Sequence, residues 1–159
     1  MTGKSAELQK LKEFIENGGD EVISKANLDA LPSKFYDLFI LKGVKVDKLE
    51  PGRIVCSMTV PPRLLNSGAF LHGGATMSLV DLIGSAALIA AGKPPGVSIE
   101  ISASYLDAAF AGEEIEIEAT VLRAGNSIGF VTVEIRQKKT GKLIAKGRHT
   151  KYLTISSKM

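Results

Sequence analysis

The run Gly74-Ala75-Thr76-Met77-Ser78-Leu79-Val80-Asp81-Leu82-Ile83-Gly84-Ser85-Ala86-Ala87-Leu88-Ile89-Ala90-Ala91 carries one charged side chain, Asp81, and none other occurs between His72 and Lys93. A helix apolar on all sides has to be buried, either in a protein core or in a bilayer. Its length approaches the roughly 20 residues a membrane span requires. An acid at the bilayer centre, however, costs about 2.5 kcal/mol or more, and no other segment reads as membranous. The run is therefore expected to be a core helix that the remaining chain covers.

Working outward, Gly92 and Pro94-Pro95-Gly96 break the helix. Strands are expected over Val97–Tyr105, Glu113–Leu122, Ile128–Arg136 and Lys142–Ile155, with turns at Gly125-Asn126 and Lys139-Thr140-Gly141. Ile115, Ile117, Ala119 and Val121 alternate plainly, the mark of antiparallel strands solvated on one face. Upstream, Phe35 to Val60 reads as β structure broken at Pro51-Gly52, and Pro61-Pro62 ends it. A loop through Asn66-Ser67-Gly68 leads into Leu71-His72-Gly73-Gly74. At the far N-terminal side, Leu8, Leu11, Phe14 and Ile15 give residues 5–16 a helical spacing that Asn17-Gly18-Gly19 stops. A second short helix is expected between Asp20 and Leu28. The fold class is thus α+β, five to six antiparallel strands wrapped around one long helix. Residues 1–33 form a helical extension and 34–159 the main domain.

With 159 residues, the chain is long enough to bury most of the surface its unfolded form exposes. The net charge of +3 and pI near 9.0 come from basic residues scattered along the sequence. No block resembles a nucleic-acid arm, and no nucleic-acid partner is expected. Cys56 has no second cysteine to pair with and lies in an apolar run, which fits a buried thiol in a reducing compartment. Glu7, Glu13 and Glu16 interrupt the start of the chain, so no secretion signal is read there. The closing Ser157-Lys158-Met159 resembles the Ser-Lys-Leu peroxisomal import address; a peroxisomal location is expected, with the cytoplasm as the alternative.

Two features could carry chemistry. Asp81 has no basic partner on its own helix, where i±3 and i±4 are Ser78, Met77, Gly84 and Ser85. It is either a structural acid paired from another segment or an acid-base group in apolar surroundings. Gly73-Gly74 opens the same helix and is either a tight turn or an oxyanion hole built on free N–H groups. The two are eight residues apart, about 12 Å along a helix axis. One carbonyl cannot touch both. If both act on one substrate, the donor comes from one subunit and the acid from another, and a two-fold dimer supplies that arrangement twice.

Asn66, Leu71-His72-Gly73-Gly74, Asp81, Pro95-Gly96-Val97-Ser98 and the late run Gly141-Lys142-Leu143-Ile144-Ala145-Lys146-Gly147-Arg148-His149-Thr150-Lys151 together resemble the small hotdog acyl-CoA thioesterases. The likeness is to the animal acyl-CoA thioesterase 13 type, related to bacterial phenylacetate-pathway thioesterases, and spans roughly residues 35 to 155. It implies a hotdog fold, a homo-oligomer of paired dimers with continuous sheets, and hydrolysis of fatty or arylacetyl-CoA thioesters without a cofactor. It also implies roles: Gly73 N–H polarises the thioester carbonyl, with Gly74 beside it in the substrate site. Asn66 positions the reacting groups, and Asp81 of the opposing subunit activates water or attacks directly. Ser98 holds the water or the acid, and His72 supports the loop and orients Asn66 or substrate. His149 reads as structural or interfacial. Lys93, Arg123, Lys138, Arg148 and Lys151 are candidates for the CoA phosphates at the rim. Two histidines and one cysteine without ligand spacing give no metal site. The competing readings are an acyl hydratase or dehydratase of the same architecture and a non-catalytic acyl-CoA-binding module.

Overall fold

The computed structural model describes residues 3–17 and 23–154, and the chain divides into two compact units, 1–35 and 36–159. The Ser157-Lys158-Met159 tail and the beginning of the helix expected from Asp20 lie outside the described residues. In the first unit, helix α1 runs Gly3–Asn17 with Leu8, Leu11, Phe14 and Ile15 exposed. Helix α2 spans Lys25–Asp29, and the Ser24 hydroxyl accepts the N–H of Asn27 as its N-cap.

The second unit opens with a departure from the sequence reading. Phe35–Leu41, expected as strand, is helix α3. Its aromatic and aliphatic residues have high strand propensity, but tertiary contacts override propensity over so short a stretch. Ile40 is buried in the core, Arg63 donates to the Phe39 and Lys42 carbonyls at the helix end, and the Tyr36 hydroxyl shares a 2.5 Å hydrogen bond with Ser78.

Strand β1 (Lys45–Glu50) then turns through Pro51-Gly52 into β2 (Arg53–Thr59). A 3₁₀ turn at Pro62–Leu64 starts the loop leading to helix α4, Gly73–Ala90. After α4 come β3 (Val97–Tyr105), β4 (Glu114–Ala124), β5 (Ile128–Gln137) and β6 (Leu143–Tyr152). The six strands form one antiparallel sheet in the order β1-β2-β4-β5-β6-β3.

Alternation on the strands decides where the core sits. Ile115, Ile117 and Ala119 of β4 and Val131, Val133 and Ile135 of β5 all point at α4, whose Leu79, Val80, Ile83, Ala87 and Leu88 meet them. Each of the valines, leucines and isoleucines among them contributes about 1.5–3 kcal/mol on full burial. The helix lies across the sheet as the core element, as its composition required. The same alternation on β6 brings Ala145, Gly147, His149 and Lys151 inward, all buried. Gly147 permits the close approach: a Cβ there would meet Val80 Cγ2 at 2.6 Å. One side of α4 stays open, where Met77, Ser78, Asp81, Leu82, Ser85 and Ala86 are half-buried.

Candidate active site

The residues singled out in the sequence fall at two places along α4. At its N-terminus, a cavity of about 480 Å³ is lined by Asn66, Phe70, Leu71, Gly73, Gly74 and Tyr105, among others. His72, in extended backbone conformation, is the N-cap of α4, and its Nδ1 accepts the Gly74 N–H at 2.8 Å. Nδ1 is therefore an acceptor, and in the neutral ring the proton sits on Nε2. With the Gly74 N–H held by His72, the Gly73 N–H is the one of the pair that makes no hydrogen bond to the described residues. A free amide at the positive end of an 18-residue helix suits developing negative charge.

Two side chains hold this amide in place. The Tyr105 hydroxyl donates to the Gly73 carbonyl at 2.8 Å, fixing the first turn against the end of β3. Asn66 Oδ1 accepts the N–H groups of Gly68 and Phe70, closing the loop before the helix. Two donors facing one atom identify it as the oxygen, which leaves the amide NH₂ as the group available to a ligand. No hydrogen bond joins His72 to Asn66; the histidine acts on the helix end instead. Tyr105 was missed in the sequence because a tyrosine closing a strand carries no motif.

Two turns further along α4 is the second cluster. The Asp81 side chain is 45% exposed, and its Oδ1 is 3.8 Å from His149 Nε2. Ser98, on β3, shares a 2.7 Å hydrogen bond with that same Nε2, so the serine reaches Asp81 through the histidine. His149 is fully buried, and burial first, then the Lys151 charge, push its pKa below the usual imidazole value, while Asp81 pulls the other way. The ring is thus neutral near pH 7, and its contact with Asp81 is a polar approach rather than an ion pair. Lys151 is buried as well and donates to Ser85 Oγ at 2.7 Å. It is therefore not one of the rim cations suggested by the sequence. Arg148, three residues before it on the alternating strand, faces out beside Lys146.

Asp81 and Ser98 do not line the cavity that contains Gly73, Gly74 and Asn66. Within one chain, the free amide and the carboxylate are separated by about two helical turns. Among the described residues no group of three or more His, Cys, Asp or Glu side chains is placed to hold a metal ion.

A six-stranded antiparallel sheet around one central helix, with an amide-bearing helix end and a helical carboxylate two turns on, defines an α+β architecture. The thioesterase superfamily model matches residues 68–144. The chain is 41% identical over 115 residues to acyl-coenzyme A thioesterase 13 of Homo sapiens, covering 72% of this chain and 82% of the relative. It is 30% identical over 100 residues to acyl-coenzyme A thioesterase PaaI of Escherichia coli K12, covering 62% of this chain and 71% of that protein. The crystal structure of zebra fish thioesterase superfamily member 2 superposes with a TM-score of 0.72 at 41% identity, over 79% of this chain and 90% of that one. The chain belongs to the thioesterase superfamily and has its hotdog fold.

Proposed function

We propose that the protein is an acyl-CoA thioesterase that hydrolyses medium- to long-chain fatty or arylacetyl-CoA esters to free acid and CoA, at sites shared between two protomers. The observation that carries this is the separation on α4: an unpartnered Gly73 amide in an apolar-walled cavity, and a half-exposed carboxylate two turns away. The acyl chain occupies the cavity with its carbonyl oxygen on the Gly73 N–H and the Asn66 amide alongside. Asp81 of the facing protomer takes a proton from water as the water oxygen bonds to the carbonyl carbon. The oxyanion so formed rests on Gly73 N–H, then collapses and expels the CoA thiolate, which takes up a proton. A base of this kind contributes about 10²–10⁴-fold, and one oxyanion donor about 10²–10³-fold.

The two sheet edges differ in a way that supports the pairing. β1 carries Lys45, Asp47, Lys48 and Glu50, charges that discourage edge-to-edge association. β3 pairs with β6 on one side only, and its nine residues include a single charge, Glu100, with Val97 and Ile99 exposed. Two copies joined along β3 form one continuous sheet and cover the open side of α4 that bears Asp81. Such dimers assemble in turn as pairs.

Thiol release from a series of acyl-CoAs, measured on wild type and Asp81→Asn, tests the activity. Loss of release in the variant with substrate binding retained is the expected result; binding without release by either protein would favour the binding-module reading, and hydration of an enoyl-CoA without release the hydratase reading. Mixing Asp81→Asn with Asn66→Ala tests the shared site. Random re-pairing makes half the dimers mixed, each with one intact centre, so about a quarter of wild-type activity returns.

A further inference from the structure

Lys151 is 6% exposed, yet no carboxylate lies within ion-pair distance of its ammonium among the described residues; its partner is Ser85 Oγ at 2.7 Å. A cation taken out of water without a direct counter-ion is costly. Ser85 stands four residues beyond Asp81, one turn along the same side of α4. The ammonium is thereby fixed near the carboxylate without touching it. Burial lowers the Lys151 pKa, and the negative charge of Asp81 draws it back up.

Two residues earlier on the same inward stripe is His149. Its ring is enclosed by Gly84 and Asp81 of α4, by Val131 of β5, and on the β3 side by Ser98 and Ile101. The charges acting on it are Lys151 and Asp81, with opposite signs. Its Nδ1 is buried with no hydrogen-bond partner. A protonated His149 would form an ion pair with Asp81 Oδ1, 3.8 Å away, and occupy the carboxylate. A neutral His149 exchanges one hydrogen bond with Ser98 and leaves Asp81 free.

We propose that Lys151 is a positioning residue: an ammonium pinned by Ser85 whose field adds to burial in keeping His149 neutral, so that the Asp81 carboxylate remains available to activate water instead of pairing with an imidazolium. This rests on the role proposed for Asp81 above and adds the device that protects it. A positive charge two residues along the same face of a strand, about 7 Å away, moves the titration of a buried group by about one pH unit or more.

The test follows the His149 imidazole resonance by NMR on the full chain across pH, alongside the acidic limb of the kcat/KM profile for an acyl-CoA. The chain has two histidines, and a His149→Gln sample assigns the signal. In Lys151→Met, the His149 midpoint and the acidic limb are both expected to rise by about one pH unit; in Lys151→Arg both stay near wild type. Ser85→Ala, which releases the ammonium while leaving it in the chain, is expected to give a smaller shift in the same direction and serves if Lys151→Met does not fold. A drop in kcat or Tm with both midpoints unmoved would overturn the proposal and make Lys151 a packing residue. If the wild-type protein releases no thiol, the thioesterase reading fails by itself, and the His149 midpoint still decides whether Lys151 controls the histidine.

Discussion

At the scale of single residues, the two ends of the site are built differently. The Gly73 amide is free because His72 takes the neighbouring amide and Tyr105 holds the Gly73 carbonyl. Removing the Tyr105 hydroxyl costs one neutral hydrogen bond, about 1 kcal/mol. Tyr105→Phe is accordingly expected to lower kcat/KM about fivefold in steady-state thiol release, with Tm lower by only about 2–4 °C. His149 makes a prediction about stability. Its folded-state pKa lies below the unfolded value, so the unfolded chain binds more protons as pH falls through that interval. Stability contributed by the neutral ring is present above about pH 6.5 and is lost as pH drops toward the depressed folded value. Urea midpoints measured between pH 7.5 and 5.5 are expected to decline for wild type and to flatten for His149→Gln. The carboxylates held low by lysine and arginine neighbours, Asp107 and Glu134, act in a more acidic window and do not obscure this.

At the scale of elements, α4 and β6 form the contact on which the second cluster depends. Gly147 lets the strand lie against Val80, and Gly84 lets the helix lie against His149. A methyl group at Gly147 would sit 2.6 Å from Val80 Cγ2 and 3.2 Å from the Ser102 carbonyl, so backbone as well as side chain must shift. Overpacking of this kind costs about 1–3 kcal/mol. Gly147→Ala is expected to lower Tm by several degrees and to reduce turnover, whereas Gly141→Asn, at a hairpin turn with open space around it, should leave both near wild type. Differential scanning calorimetry paired with thiol release separates the two outcomes. The element misread from sequence, Phe35–Leu41, shows the limit of propensity. Seven residues rich in Phe, Tyr, Leu and Ile do not specify helix or strand alone. What makes them helical is their docking: Ile40 in the core and Tyr36 on Ser78.

At the scale of the whole molecule, a single protomer leaves Asp81 and the open side of α4 partly in water, and β3 unpaired along one edge. On the function proposed above, association through that edge would make one centre from two halves. A lysine at Ile99, exposed on β3, places charge on the edge. Ile99→Lys is expected to shift the protein toward monomer in light scattering and to lose activity in parallel with the dimer fraction. Activity retained by a monomer would sink the shared-site reading.

The sequence by itself determined the core helix and the antiparallel strands after it, because an apolar run and strand alternation are local and act before any contact forms; the family likeness was legible in motif residues such as Asn66, Leu71-His72-Gly73-Gly74 and Asp81. The lone acid of the helix and the glycine pair opening it were legible for the same reason: a charge in an apolar run, and two missing Cβ atoms, stand out along the chain. Only the tertiary structure decided that His72 takes the Gly74 amide and leaves that of Gly73 free, that Tyr105 holds the Gly73 carbonyl, and that His149 and Lys151 face Asp81 and Ser85. Those facts depend on which strand lies beside which helix face. His149 and Lys151 of β6 are about 70 residues from Asp81 in sequence, and packing against α4 turns these inward positions from ordinary core sites into an electrostatic environment.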